Sequence, residues 1–250
     1  MALIDAQLAI LDEMEKDTAG LAAAIEAAAL SMLVQFRQTR LPAAPDFSAL
    51  PAILTELTRV WTQAIRENAA AFALEFPAGF PRKAQTADIV STFVSSLRPR
   101  AAQQILETTQ RQVRDLMAGG LASGESADAV YAELLLKIPE ISSVRSLLIT
   151  RTEAHAAGQF ASWQLARQSL VPLIKVWNSI PDLRTRDFGE IGSGSIFNHR
   201  IMNGQRAGLN AAFSAPRRGG GAEQLMFPGD PRGSAANVIN CRCIQTYERV

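Results

Sequence analysis

The chain has only two cysteines and two histidines in 250 residues. Cys241 and Cys243 stand one residue apart, poorly placed on an extended segment to bridge each other, so a fold stapled by disulfides is excluded. The pair also falls outside the C-x2–4-C spacing of ordinary zinc sites. Spacing therefore predicts two reduced, buried thiols acting as small apolar residues, with no metal and no cofactor. A large net charge is missing too. At a formal +1, the chain shows no overall basic excess of the kind that announces a nucleic-acid binder. It shows no repeat of about 20–50 residues, which argues against a solenoid. The most apolar run, 21–36, contains Glu26, is shorter than a bilayer span and follows an acidic start without the positive n-region of a signal peptide. These absences predict a soluble protein made in the cytoplasm, with no membrane association.

What is present is a hydrophobic content of 48%, enough for a sizeable core in one domain or two. The modest charge is unevenly placed. Residues 171–250 hold ten Lys and Arg against six Asp and Glu, and residues 1–170 hold fifteen against eighteen. Nine of those ten cations are arginines, which bind phosphate and carboxylate through a fixed fork. Coding bias would produce the same excess of arginine over lysine.

Helical periodicity dominates the first two thirds. Ile4, Leu8 and Leu11 form one stripe, which Leu21, Ile25, Met32 and Phe36 continue past a break at Gly20. Pro42, Pro45 and Pro51 punctuate a connection, and Pro51 suits the first turn of a helix carrying Leu54, Leu57, Trp61, Ile65 and Phe72, ended by the prolines at 77 and 81. Helices are expected over 86–97 and 99–117, the second stopped by Gly119-Gly120. Ser126 is a natural N-cap for 127–136. After a break at Ile138-Pro139, Ser142 or Ser143 should cap a helix to about 169, with Leu147, Leu148, Ala154, Phe160 and Leu165 inward. Arg151, His155 and Gln159 form a polar stripe on it with Glu153 rotated away. That stripe is either a solvated face or, through Arg151 or Glu153, a contact with the C-terminal lobe.

Past residue 170 the pattern changes to short strand candidates at 173–177 and 225–227, glycine-rich loops at 191–195 and 217–221, and a turn at Asn203-Gly204. Pro228-Gly229-Asp230-Pro231 is a turn by composition: proline fixes φ, glycine tolerates positive φ, and Asp230 can accept bonds from nearby amides. A strand over 238–247 would place Asn240, Arg242 and Ile244 on one face and Cys241, Cys243 and Gln245 on the other. The expected fold is mostly α with a small α+β C-terminal lobe. A helical N-terminal part (1–120) would serve in docking, followed by central helices (121–170) and the lobe (171–250).

Seven pieces of the last 150 residues or so recur in a fixed order: Gly124-Glu125-Ser126, Arg151-Thr152-Glu153, Trp177, Asp182 with Arg184-Thr185-Arg186, His199 with Asn203-Gly204-Gln205, 227–231, and Asn240-Cys241-Arg242-Cys243. In this the chain resembles the phage Mu F-like head morphogenesis family, minor head proteins of tailed bacteriophages. It departs from the family where a histidine three residues after the Thr-Arg pair is replaced by Gly189. Aligning His199 there implies an insertion of about ten residues around 187–198. The resemblance implies a structural, non-enzymatic virion protein assembled in the host cytoplasm. It would act near the portal with other head proteins and contact packaged double-stranded DNA without reading sequence. Some family members carry fused toxin domains. This chain ends seven residues after Cys243, so any catalysis is expected within the lobe itself.

Asp182, His199, Asp230, Cys241 and Cys243, with Glu153, are the residue types from which an acid-base or metal site is built. The alternative function is a metal-dependent nuclease or other hydrolase using Asp182, His199, Cys241 and Cys243. The plainer expectation is structural: His199 hydrogen-bonded, and Asp182 and Asp230 accepting from turn amides or from Arg184, Arg186 and Arg242. Arg217, Arg218 and Arg232 are the candidates for phosphate contact.

Overall fold

The computed structural model describes residues 2–41, 43–77, 86–189, 191 and 194–250. It is mostly helical with a small α+β C-terminal region: α1 (Ala2–Lys16), α2 (Ala19–Thr39), α3 (Leu50–Glu75), α4 (Thr86–Thr92), a π-helical turn (Phe93–Leu97), α5 (Ala101–Ala122), α6 (Ala127–Arg167), β1 (Leu173–Asn178), β2 (Arg206–Gly208), β3 (Phe213–Pro216), β4 (Ala222–Leu225), α7 (Ala235–Val238) and β5 (Ile244–Arg249). The expected Pro42 punctuation, most of the 77–81 stop and part of the 191–195 loop lie outside the described residues.

The chain forms two compact units that are not consecutive segments. One gathers Met1–Met14, Val60–Arg98 and Arg151–Val250; the other gathers Glu15–Arg59 and Pro99–Thr150. In the second unit, Met32, Leu33 and Phe36 of α2 pack with Val113 and Met117 of α5 and with Val130, Leu134 and Ile138 of α6. α2 has 21 residues and is long and apolar enough to cross a membrane, contrary to the expectation from its apolar run, but eight of its residues are buried inside the protein.

Several boundaries differ from the sequence reading. The first helix breaks at Asp17-Thr18, not at Gly20, and α1 buries Leu11 as expected but Leu3 and Gln7 in place of Ile4 and Leu8. Gln7 can turn inward because its amide donates to Ser162 Oγ at 3.0 Å. Leu54 is exposed, while Leu57, Trp61, Ile65 and Phe72 are buried. The helix expected over 86–97 loosens to a π-turn after Thr92, and α5 runs through Gly119-Gly120 to Ala122.

The expected break at Ile138-Pro139 is absent, and α6 is continuous with Pro139 inside it. Pro139 lies on the exposed face, as does Leu135, whose carbonyl loses its usual partner and can bond water instead. Ser142 and Ser143 are therefore mid-helix residues and cap nothing. Ser142, Ser146 and Thr150 point inward, with Leu147 half-buried and Leu148 exposed. Ser126 does cap α6, accepting from the Ala129 amide at 3.2 Å.

In the unit that holds the C-terminal residues, β1 is the middle strand of an antiparallel sheet ordered β2-β1-β5, and β3-β4 is a separate hairpin. Register pairs Trp177 with Gln245 and Lys175 with Tyr247. The strand expected over 238–247 begins only at Ile244. Ahead of it the chain makes the short helix α7 and a turn at Asn240, whose φ of +58° no strand accommodates. Apolar residues from across the segment close the core here: Trp177, Phe197, Phe213, Leu225 and both cysteines.

Candidate functional site

The C-terminal end of α6 supplies the floor of the site. Arg151, His155 and Gln159, one turn apart, all dock on residues 240–245, the turn leading into β5 and its first residues, so the stripe is not a solvated face. Arg151 donates to Asn240 Oδ1 at 2.9 Å, and the Asn240 amide donates to Thr152 Oγ1 at 3.1 Å. His155 Nε2 donates to the Cys243 carbonyl at 2.7 Å, which fixes its tautomer because a carbonyl only accepts. Burial pushes the His155 ring below its ordinary pKa of 6.5, so it is held neutral. Gln159 Oε1 accepts from the Gln245 amide at 2.9 Å, and its carbonyl accepts from the Gln245 side chain at 2.6 Å. Glu153 turns the other way, to Trp61 Nε1 at 3.0 Å and to the Arg98 guanidinium.

The turn at 228–231 lies buried against this helix. Gly229 has φ +76°, and a Cβ there would stand 2.5 Å from His155 Nδ1, so only glycine fits. Asp230 accepts from the Met226 amide at 2.9 Å and from the Arg232 amide and guanidinium. Gly204 fills a second positive-φ turn, and its amide reaches the Trp177 carbonyl at 2.8 Å.

His199 is the centre. Its backbone amide bonds Arg186 O at 2.9 Å, and Trp177 stands edge-on to the ring at 5.2 Å between centroids. Asn237 donates its amide to Glu223, which turns Asn237 Oδ1 toward His199 Nε2 at 2.6 Å. His199 must therefore carry its proton on Nε2, leaving Nδ1 as a bare lone pair. Two thiols face that one lone pair, Cys241 Sγ at 3.7 Å and Cys243 Sγ at 3.6 Å, each at most 2% exposed. The three candidate ligand atoms lie within 4.8 Å of one another. The hydrogen bond that Cys243 gives to Cys241 holds the Cys241 thiol well below its ordinary range, whereas burial pushes Cys243 well above it.

Asp182 stands at the rim. Its Oδ1 accepts from the Arg184 and Thr185 amides, both at 3.0 Å, and its Oδ2 pairs with the Arg242 guanidinium. Burial pushes this carboxyl up, but Arg242 and the turn donors outweigh it and leave its pKa lowered. Arg186 donates to the Ala236 carbonyl of α7 and to the carbonyl of Ile239, the residue that ends it. An opening of about 10 Å³ is lined by Asp182, Thr185, Arg186, His199, Arg242 and Cys243, among others. It has room for about one water-sized ligand.

Arg217 and Arg218 are exposed on the β3–β4 turn, and Arg218 also donates to Phe188 O. Arg232 is half-exposed but gives its guanidinium to Asp230. The sequence reading missed Asp187, fully buried and accepting from the amides of Gly189, Ile191 and Gly194 and from Arg200. An aspartate two residues before a glycine-rich stretch was the available signal. It also missed Asn237 and Glu223, which nothing in their local sequence marks.

No protein-family model matches the chain, and no solved structure matches it. The uncharacterized protein YqbB of Bacillus subtilis (strain 168) is similar, with 28% identity over 137 residues. That stretch is 54% of this chain and 41% of the relative, so the chain spans under half the length of the curated protein it matches.

Proposed function

We propose that the protein is a minor structural component of a phage or phage-like head, acting in head morphogenesis near the portal and touching packaged DNA. The observation that carries this reading is that the residues resembling the Mu F-like signature, scattered over about a hundred positions, interlock. Arg151 and Thr152 hold Asn240, Arg242 holds Asp182, and His199 meets both cysteines. A signature spent on holding the fold together suits an assembly protein.

Docking to other head proteins falls to exposed apolar side chains of the second unit, Val34, Leu41, Phe47 and Leu54. Phosphate contact falls to Arg217 and Arg218, because Arg232 is already paired. The decisive experiment changes Val34, Leu41 and Leu54 to Ser in the virus or prophage that carries the gene and counts copies in purified heads. Deleting 1–75 would be a poorer test, since 1–14 and 60–75 belong to the unit that holds the site. Incorporation should fall sharply; normal copy number in the heads would sink the docking reading.

A second reading, a metal-dependent nuclease or other hydrolase, is favoured by the convergence of His199, Cys241 and Cys243. Metal-dependent cleavage of a duplex or single-stranded DNA by the purified protein, lost in His199→Ala, would support it in place of the first.

A further inference from the structure

We propose that His199 Nδ1, Cys241 Sγ and Cys243 Sγ form a binding site for one thiophilic divalent cation of the zinc class, with water in the fourth position. The proposal does not rest on the head-assembly reading.

The first argument is geometric. A tetrahedral zinc ion with Zn–S about 2.3 Å and Zn–N about 2.0 Å needs ligand atoms roughly 3.5–3.8 Å apart. The two N···S separations are 3.6 and 3.7 Å, and no pair of the three exceeds 4.8 Å. A hydrogen-bond chain from Cys243 to Cys241 and from Cys241 to His199 Nδ1 can hold the three groups before a cation arrives, and it leaves the same three atoms at the edge lengths of a tetrahedral site. A cation placed between the three atoms takes one lone pair from each.

The second argument is the shell behind the ligands. Metal-binding histidines characteristically donate their other N–H to an oriented acceptor, which fixes tautomer and ring plane. Here Glu223 orients Asn237 and Asn237 orients His199, leaving Nδ1 free of a proton before any cation arrives. The left-handed turn at Asn240, held by Arg151 and Thr152, aims both thiols inward, while Arg242 between them leaves for Asp182.

The third argument is access. The opening at the rim touches His199 and Cys243 and accepts one water-sized ligand. Its arginines favour an anionic occupant, such as hydroxide or the oxygen of a small anion. Binding replaces the S–H protons by metal–sulfur bonds, so up to two protons leave per cation and no oxidant or reductant is consumed.

The test uses the full chain, purified reduced and without chelator, with metal content measured per chain. Stripped protein is then titrated with cobalt(II). One cation per chain, with tetrahedral d–d bands and thiolate-to-cobalt charge-transfer absorption, is expected. Cys243→Ser should weaken the charge-transfer band, and Cys241→Ser with Cys243→Ser together should abolish it. Should those variants fail to fold, Glu223→Gln leaves all three ligands in place and should lower cobalt affinity about 10–100-fold. In the unaltered protein, alkylation of both thiols should accelerate when EDTA is added. Reduced protein that takes up neither zinc nor cobalt overturns the proposal. So does stoichiometric metal that persists in the double serine variant.

Discussion

At the scale of single residues, the site is made of buried groups held by specific neighbours. Gly229 passes so close to His155 that a methyl group has nowhere to go, and its φ of +76° is strained for any other residue. Gly229→Ala should cost about 1–3 kcal/mol, read as a lower denaturation midpoint at unchanged slope. Lys175 is a second such case. It is fully buried in β1, donates to Met226 O and lies 4.8 Å from the Phe213 ring centroid. Burial pushes its ammonium from 10.5 down to about 8, against a smaller upward pull from Asp230. Between pH 8 and 10.5 the unfolded chain keeps this proton while the folded protein has lost it. The contribution of Lys175 to stability therefore rises with pH across that window and is lost as pH falls through it. Melting of the wild type relative to Lys175→Met, compared at pH 7.5 and 9.5, should show the wild type gaining ground at the higher pH; a constant difference would contradict the assigned burial cost.

At the scale of elements, α6 is the member that departs most from what its sequence suggests. Proline inside a helix costs about 3 kcal/mol, yet the helix continues past Pro139 because that turn faces water. Pro139→Ala should raise stability by about 1–3 kcal/mol, visible as a higher melting temperature; no gain would mean that the proline-induced geometry is itself required. Further along, Gln159 meets both the backbone and side chain of Gln245 at the start of β5. Gln159→Leu keeps the volume but leaves a buried amide unsatisfied, and calorimetry should register a loss of about 1–3 kcal/mol.

At the scale of the whole molecule, the charge asymmetry is the property with a readout. If Arg217 and Arg218 are the phosphate contacts, the log–log salt slope of duplex DNA binding should shrink by about 2 when both become Ser, at every sequence tested alike. An unchanged slope would move the contact elsewhere. The chain's own sequence determined the mostly helical class, the short strand at β1, the N-cap at Ser126 and the turn at 228–231, because periodicity, capping and φ preference act over a few neighbouring residues. Tertiary structure alone decided what those pieces meet. The spacing of Cys241 and Cys243 argued against a metal, yet the fold brings His199 from over forty positions away to within 4 Å of both. The stripe on α6 reads equally well as a solvated face from its sequence, and only residues 240–245, running into β5, cover it. Helical period fixes which residues share a face, but whether that face meets water or protein depends on contacts made between distant parts of the chain, which local pattern does not encode.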